Sequence, residues 1–301
     1  MTPGRGVSRY STTMRHPRPA DWGFGVTVCV VAISTDDEIV AVSDQMLTVG
    51  DFGQDDMMIK MDFVFAEWAV MFAGDDITPC LPIIADARKT MEQLVGGEKG
   101  ILDTLENMKS VFKAAIQRQL KQRAADDVLA PFGITMDEFL AKGRKQFTIS
   151  MFQSLCERII ATELKCDFLL FGYDNDRNPH IVHLTGNGAD YVYDKPGFWA
   201  IGSGAYSALS MLFFRQQNVL TELPETFYHA CEAKFMAESA IGVGKATFPY
   251  VLIPGQDPLR FDPGLIFQVR AAWEIKAKPK MPTEILKVIA STLHKNRTHR
   301  N

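Results

Sequence analysis

The chain has few cysteines, no long apolar run and no excess of positive charge, and each shortage removes a class of protein. Cys29, Cys80, Cys156, Cys166 and Cys231 are its only cysteines, none in a C-x-x-C pair and most among apolar neighbours. That pattern fits reduced, buried thiols in a cytoplasmic setting and argues against a disulfide framework or a structural zinc. No stretch approaches the roughly 18–20 apolar residues of a membrane span, and the N-terminus lacks the apolar core of a secretory signal. A formal charge of −4 argues against a nucleic-acid surface spread over the fold, which needs clustered Lys and Arg. Proteins or peptides are the expected partners, and nothing calls for a cofactor.

What is present suffices for a core without staples: 47% of the 301 residues are hydrophobic. Residues 1–25 stand apart, with Arg5, Arg9, Arg15 and Arg18 scattered among Ser, Thr, Gly and Pro. They read as an unfolded leader, a propeptide or a mis-assigned start, and their acid-poor composition also resembles a targeting peptide. From Thr27 to Gly74 the pattern is β: Thr27–Ile33, Ile39–Asp44, Phe63–Phe65 and Ala69–Ala73, with a turn at Gly50–Gly53. Asp75-Asp76 occupy N-cap positions for a helix running to Leu94, with Pro79 and Pro82 confining its regular part to the later turns.

Residues 96–165 read as a helical insertion, with amphipathic patterns over Ile101–Arg123 and Met136–Leu164, a break near Lys142-Gly143 and a loop at Ala130–Gly133. Strands return at Phe168–Tyr173, His180–Leu184, Tyr191–Tyr193 and Phe198–Ile201. Helices follow over Ala205–Phe214 and Glu225–Ser239, then a last strand over Phe248–Ile253. The tail, 276–301, is basic, with a short amphipathic helix over Thr283–Leu293. Blocks of strands alternating with blocks of helices give an α+β chain of stacked sheets with helices outside them.

In this order and spacing several segments resemble the proteasome β-type subunits and their bacterial relatives in the N-terminal-nucleophile hydrolase superfamily. They are the strand headed by Thr27, the strand end Val40-Ala41-Val42-Ser43-Asp44 followed by Thr48, then Lys60, Ala73-Gly74, Leu170–Asp174 and Ala200-Ile201-Gly202-Ser203-Gly204-Ala205. The interval from Thr27 to Asp44 is one residue longer than in that family, which a bulge or longer turn at Asp36-Asp37 would absorb. The resemblance spans residues 26–95 and 167–253. It implies a four-layer αββα sandwich of two antiparallel sheets over residues 26–275, enlarged by the helical insertion.

It also implies a threonine-type endopeptidase. A threonine hydroxyl is a poor nucleophile, and in this family the threonine's own α-amine is the base. A neighbouring lysine ammonium lowers the pKa of that amine. The resemblance makes Lys60 that lysine, Asp44 its ion-pair partner, Gly74 the oxyanion donor and Thr48 the residue that bonds the main chain of a peptide substrate. Ser203 matches the supporting serine, whereas Glu238 replaces an expected aspartate and Ile241 an expected second serine. Phe72 takes the base of the pocket for the residue before the cut, with Leu47 and Met58 nearby; packing in the core is the competing role for all three. A homo-oligomer is implied, with an ATPase unfoldase as a candidate partner.

Thr27 can serve only as an N-terminal residue, and Val26 precedes it where self-cleavage favours glycine. One hypothesis starts translation at position 26: GTG encodes valine and also starts bacterial genes, and loss of the initiator methionine would expose Thr27. The competing reading is a non-catalytic assembly subunit of the same fold with an unprocessed N-terminus. Other enzyme classes fit less well, because the chain lacks G-x-S-x-G and shows no convincing phosphate- or dinucleotide-binding loop. His180 and His183 sit three apart on a strand and face opposite ways.

Overall fold

A computed structural model describes residues 27–49, 52–55, 58–95, 104–280, 284–289 and 291. The leader, residues 1–25, lies outside them, as does most of the tail beyond Lys280. The expected C-terminal helix is helical at 284–289 and 291.

Short strands, the central ones apolar along their whole length, form two antiparallel five-stranded sheets that pack against each other. The first consists of β1 (Cys29–Ile33), β2 (Ile39–Ser43), β10 (Phe198–Ile201), β11 (Phe248–Leu252) and β12 (Leu259–Arg260), in the order β10-β1-β2-β11-β12. The second runs β5-β6-β7-β8-β9, from β5 (Met61–Phe65), β6 (Trp68–Gly74), β7 (Cys166–Tyr173), β8 (Pro179–Thr185) and β9 (Asp190–Val192). A separate ribbon pairs β3 (Leu47–Val49) with β4 (Phe52–Gln54).

Because strand side chains alternate between faces, each sheet is apolar on both. Cys29, Val31 and Ala41 of the first sheet share one buried cluster with Ala69, Met71, Leu169 and Phe171 of the second. The opposite face of the second sheet, including Val70, Phe72 and Phe168, packs on α1 (Cys80–Val95) and α2 (Leu105–Ala124). The opposite face of the first, including Val28, Val30 and Val42, packs on α5 (Ala205–Phe214) and α6 (Leu223–Ala237). The packing order is helices, sheet, sheet, helices. The structure is thus α+β with helices outside two facing sheets.

Several boundaries differ from those expected. The β1–β2 ladder runs without a bulge from Cys29↔Ser43 to Ile33↔Ile39, and in the turn between the strands Asp37 adopts φ 59°. Helix α1 begins at Cys80, because Asp76 Oδ1 accepts the Thr78 N–H (3.0 Å) and closes a turn ahead of the helix. The insertion breaks at Phe147-Thr148, where Thr148 caps α4 (Ile149–Ile160), and not at Lys142-Gly143. Gly143 lies inside α3 (Met136–Gln146), where a side chain would press on the rings of Phe139 and Phe152. A helix absent from the sequence reading, α7 (Pro263–Ala272), follows β12; Asp262 Oδ1 accepts the Gly264 N–H (2.6 Å) at its start.

Candidate active site

Antiparallel pairing gathers the strand ends that carry the expected residues. In the first sheet Ser43 pairs with both Cys29 and Phe248, and Cys29 also pairs with Ile201. The entry to β1, the exits of β2 and β10 and the entry to β11 therefore lie at one end. Thr27, Asp44, Ser203 and Gly244 belong to these segments. Lys60 immediately precedes β5. Its neighbourhood is tied to both sheets, since the Met58 N–H donates to Gln45 O (3.2 Å) and the Phe72 N–H donates to Lys60 O (3.3 Å).

These segments bring three side chains together. The Thr27 hydroxyl donates to Asp44 Oδ1 and accepts from Lys60 Nζ. Lys60 Nζ also donates to Asp44 Oδ1 at 2.9 Å, and Thr27, Asp44 and Lys60 are 1%, 0% and 3% exposed. A buried ion pair needs its remaining lone pairs satisfied. The backbone supplies this: Val28 N–H donates to Asp44 Oδ1 (3.3 Å), while Gly244 N–H (2.9 Å) and Met46 N–H (3.3 Å) donate to Oδ2. The ammonium and the carboxylate thus polarise one hydroxyl from two sides.

The Gly202-Ser203-Gly204 turn holds the backbone of Thr27. Gly204 N–H (3.2 Å) and Ser203 Oγ (3.3 Å) donate to the Thr27 carbonyl, and the Thr27 N–H donates to Ser203 Oγ at 3.4 Å. Gly202 has φ 97°, and a Cβ there would strike the Thr27 carbonyl oxygen, so glycine is required. Ser203 Oγ also bonds the Ile241 carbonyl (3.0 Å). Ile241 therefore contributes its main chain to the serine, and its side chain is 76% exposed.

No protein-family model matches the chain, and no curated protein is significantly similar to it.

The remaining expected residues divide. Glu238 stands outside the hydrogen-bonded set on Thr27: its carboxylate accepts from Lys234 Nζ (2.6 Å) and from Arg270 Nη1 and Nη2 (2.8 and 2.5 Å). Its longer side chain points to a salt-bridge cluster behind Asp44. Gly74 ends β6, and a methyl group there would collide with Lys165 O and Cys166 Cα, so close strand approach alone requires a glycine. Phe72 is 1% exposed and shares the α1–α2 cluster with Met58, which places both in the packed layer. Leu47 and Thr48 lie on β3, and their side chains are outside the described residues.

The sequence reading missed Lys234, Gly244, Asp55 and Arg270. Lys234 is completely buried on α6, and burial pushes its ammonium pKa below the ordinary lysine range although Glu238 opposes the shift. The only signal for it is a charge within the apolar run Ala233–Ala237. Asp55 Oδ2 accepts from Lys245 N–H (2.6 Å) and Ala246 N–H (3.0 Å), securing the loop beyond Gly244. Arg270 was hidden with α7, whose Asp262-Pro263-Gly264 start is a legible cap signature. Cys29 adjoins the site, but burial, against the opposing pull of Lys60, raises its thiol pKa far above the ordinary range and keeps it protonated. Among the described residues no cluster of three or more His, Cys, Asp or Glu is placed to hold a metal ion, and no helix is long and apolar enough to cross a membrane.

Proposed function

We propose that the chain is a threonine-type endopeptidase with an N-terminal-nucleophile hydrolase fold, similar to the proteasome β-type subunits, working inside a homo-oligomeric assembly. The observation that carries this reading is the convergence of Thr27, Asp44 and Lys60 on one hydroxyl. In the mature enzyme Thr27 is the first residue, and its neutral α-amine removes the hydroxyl proton as Oγ1 attacks the peptide carbonyl. The Lys60 ammonium favours the neutral amine and stabilises the developing oxygen charge, while Asp44 holds Lys60 in place. The acyl-enzyme forms as the leaving amine takes the proton, and water then releases the second product. Gly74 is the proposed oxyanion donor, and Thr48 aligns the peptide. Five unpaired cysteines fit action in the cytoplasm, and an ATPase unfoldase is a candidate supplier of substrate.

A second reading, a non-catalytic assembly subunit, draws on the engagement of Glu238 by Lys234 and Arg270 and on the loss of a serine hydroxyl at Ile241. One experiment separates the two. Intact mass and N-terminal sequencing of natively expressed protein are expected to give Thr27 as the first residue, and an epoxyketone is expected to modify it. A chain that retains residues 1–26, assembles and stays unlabelled overturns the peptidase reading.

A further inference from the structure

Behind Asp44 lies a second set of charges. Lys234 Nζ, inside α6, donates to the Gly244 carbonyl at 2.7 Å and to Glu238 Oε1 at 2.6 Å. The amide of the same glycine donates to Asp44 Oδ2 at 2.9 Å. Gly244 is thus gripped at both ends, by a buried lysine through its carbonyl and by the site carboxylate through its N–H. The far side is closed by Arg270, which clamps Glu238 with two nitrogens, donates to Lys245 O (2.8 Å) and lies 4.2 Å from the Phe235 ring centroid.

A lysine with 0% exposure is costly to bury unless each contact is used. Glu238 already has a partner in Arg270, so balancing that carboxylate does not account for Lys234. The Gly244 carbonyl does, because it belongs to the residue whose amide fixes Oδ2. With Oδ2 occupied by backbone donors, Oδ1 is left to meet Lys60 and Thr27. The chain of contacts runs from Arg270 through Glu238, Lys234 and Gly244 to Asp44.

We propose that Lys234 is a positioning residue for the Thr27 site: from within α6 it fixes Gly244, and through Gly244 it fixes the carboxylate of Asp44. Its catalytic consequence rests on the peptidase reading, while its structural consequence does not. Glu238, itself clamped by Arg270, holds the Lys234 ammonium in place, which explains how a glutamate that does not touch Thr27 still serves the site.

The test replaces Lys234 by methionine, a side chain of similar length without charge. Lys234→Met is expected to slow epoxyketone modification of Thr27 about tenfold, the effect of losing one charge-assisted hydrogen bond. The acid limb of the rate–pH profile is expected to move to higher pH, because a loosened Asp44 no longer holds the Lys60 ammonium against Thr27 and the Thr27 amine becomes more basic. A loss of folded protein alone would lower the amplitude of labelling and leave that limb in place. A crystal structure of the variant is expected to show the Gly244–Asp44 contact lengthened or broken. If Lys234→Met does not fold, Lys234→Leu, which likewise leaves Glu238 paired with Arg270 and offers no donor to the Gly244 carbonyl, is used for the same measurements. An active wild type with an unchanged rate and acid limb in the variant overturns the proposal and leaves the peptidase reading standing. An unlabelled wild type overturns the peptidase reading, and the Gly244–Asp44 contact then decides the positioning role: retained, it overturns it.

Discussion

At the scale of single residues, the site is a problem of buried charge. Asp44 and Lys60 are almost wholly shielded from solvent, so neither charge is tolerable without the other. Asp44→Asn and Lys60→Met should each cost about 3–5 kcal/mol, because each strands one buried ion, and the double variant should recover part of the loss. Urea denaturation of the four proteins measures this; additive losses would mean that the pair is not electrostatically coupled. In the proposed enzyme both single variants should also slow labelling of Thr27 by about 10²–10⁴-fold, with no recovery in the double. Stability and activity should therefore part company, as expected if the ion pair serves the hydroxyl.

At the scale of elements, two predictions follow from what each strand or helix packs against. His180 on β8 stacks on Trp68, with its ring nitrogens 2.7 and 3.3 Å from Asp194 and Asp174. Burial disfavours its charge, but the two carboxylates outweigh burial and raise its pKa above the usual value. Protonated His180 therefore stabilises the fold fully below the unfolded pKa of about 6.5, and the contribution is lost as pH rises through the higher folded value. His180→Asn should flatten this part of a plot of Tm against pH; an unchanged slope would remove His180 as its source. The helices α3 and α4 have a cluster of their own, including Leu129, Phe139 and Leu155. Gly143→Leu should force them apart and lower Tm, yet leave labelling of Thr27 within about twofold of wild type because that cluster is separate from the sheets. A large loss of labelling would show the two regions to be coupled.

At the scale of the molecule, the two sheets share one apolar interface while the polar site sits at strand ends. Such a construction separates stability from chemistry: the layers are held by burial, and the site is held by short segments projecting from them. The proposed assembly makes a whole-molecule prediction. Native mass spectrometry should return a multiple of the single-chain mass, and a monomer at micromolar concentration would remove the homo-oligomer from the proposal. The same spectrum after processing reports whether residues 1–26 are present.

The layered fold was largely legible because its signals are local. Short apolar runs bounded by turn residues marked β1, β2, β7, β8, β10 and β11, and the helical spacing of α5 was read with its boundaries in place. The ribbon β3–β4 was missed, since three-residue strands carry too little periodicity. Thr27, Asp44 and Lys60 were named through a family resemblance, but only tertiary structure brings them to one hydroxyl, because their meeting depends on strand pairing and on the packing of two sheets. It also turned Glu238 away from Thr27 and revealed Lys234 and Arg270 behind Asp44. Sequence alone determined where strands and helices form, since backbone preference and apolar period act over a few neighbours. Which charges meet in the interior was decided by the fold, since Asp44 and Gly244 are 200 residues apart along the chain and 2.9 Å apart, N to O, in space.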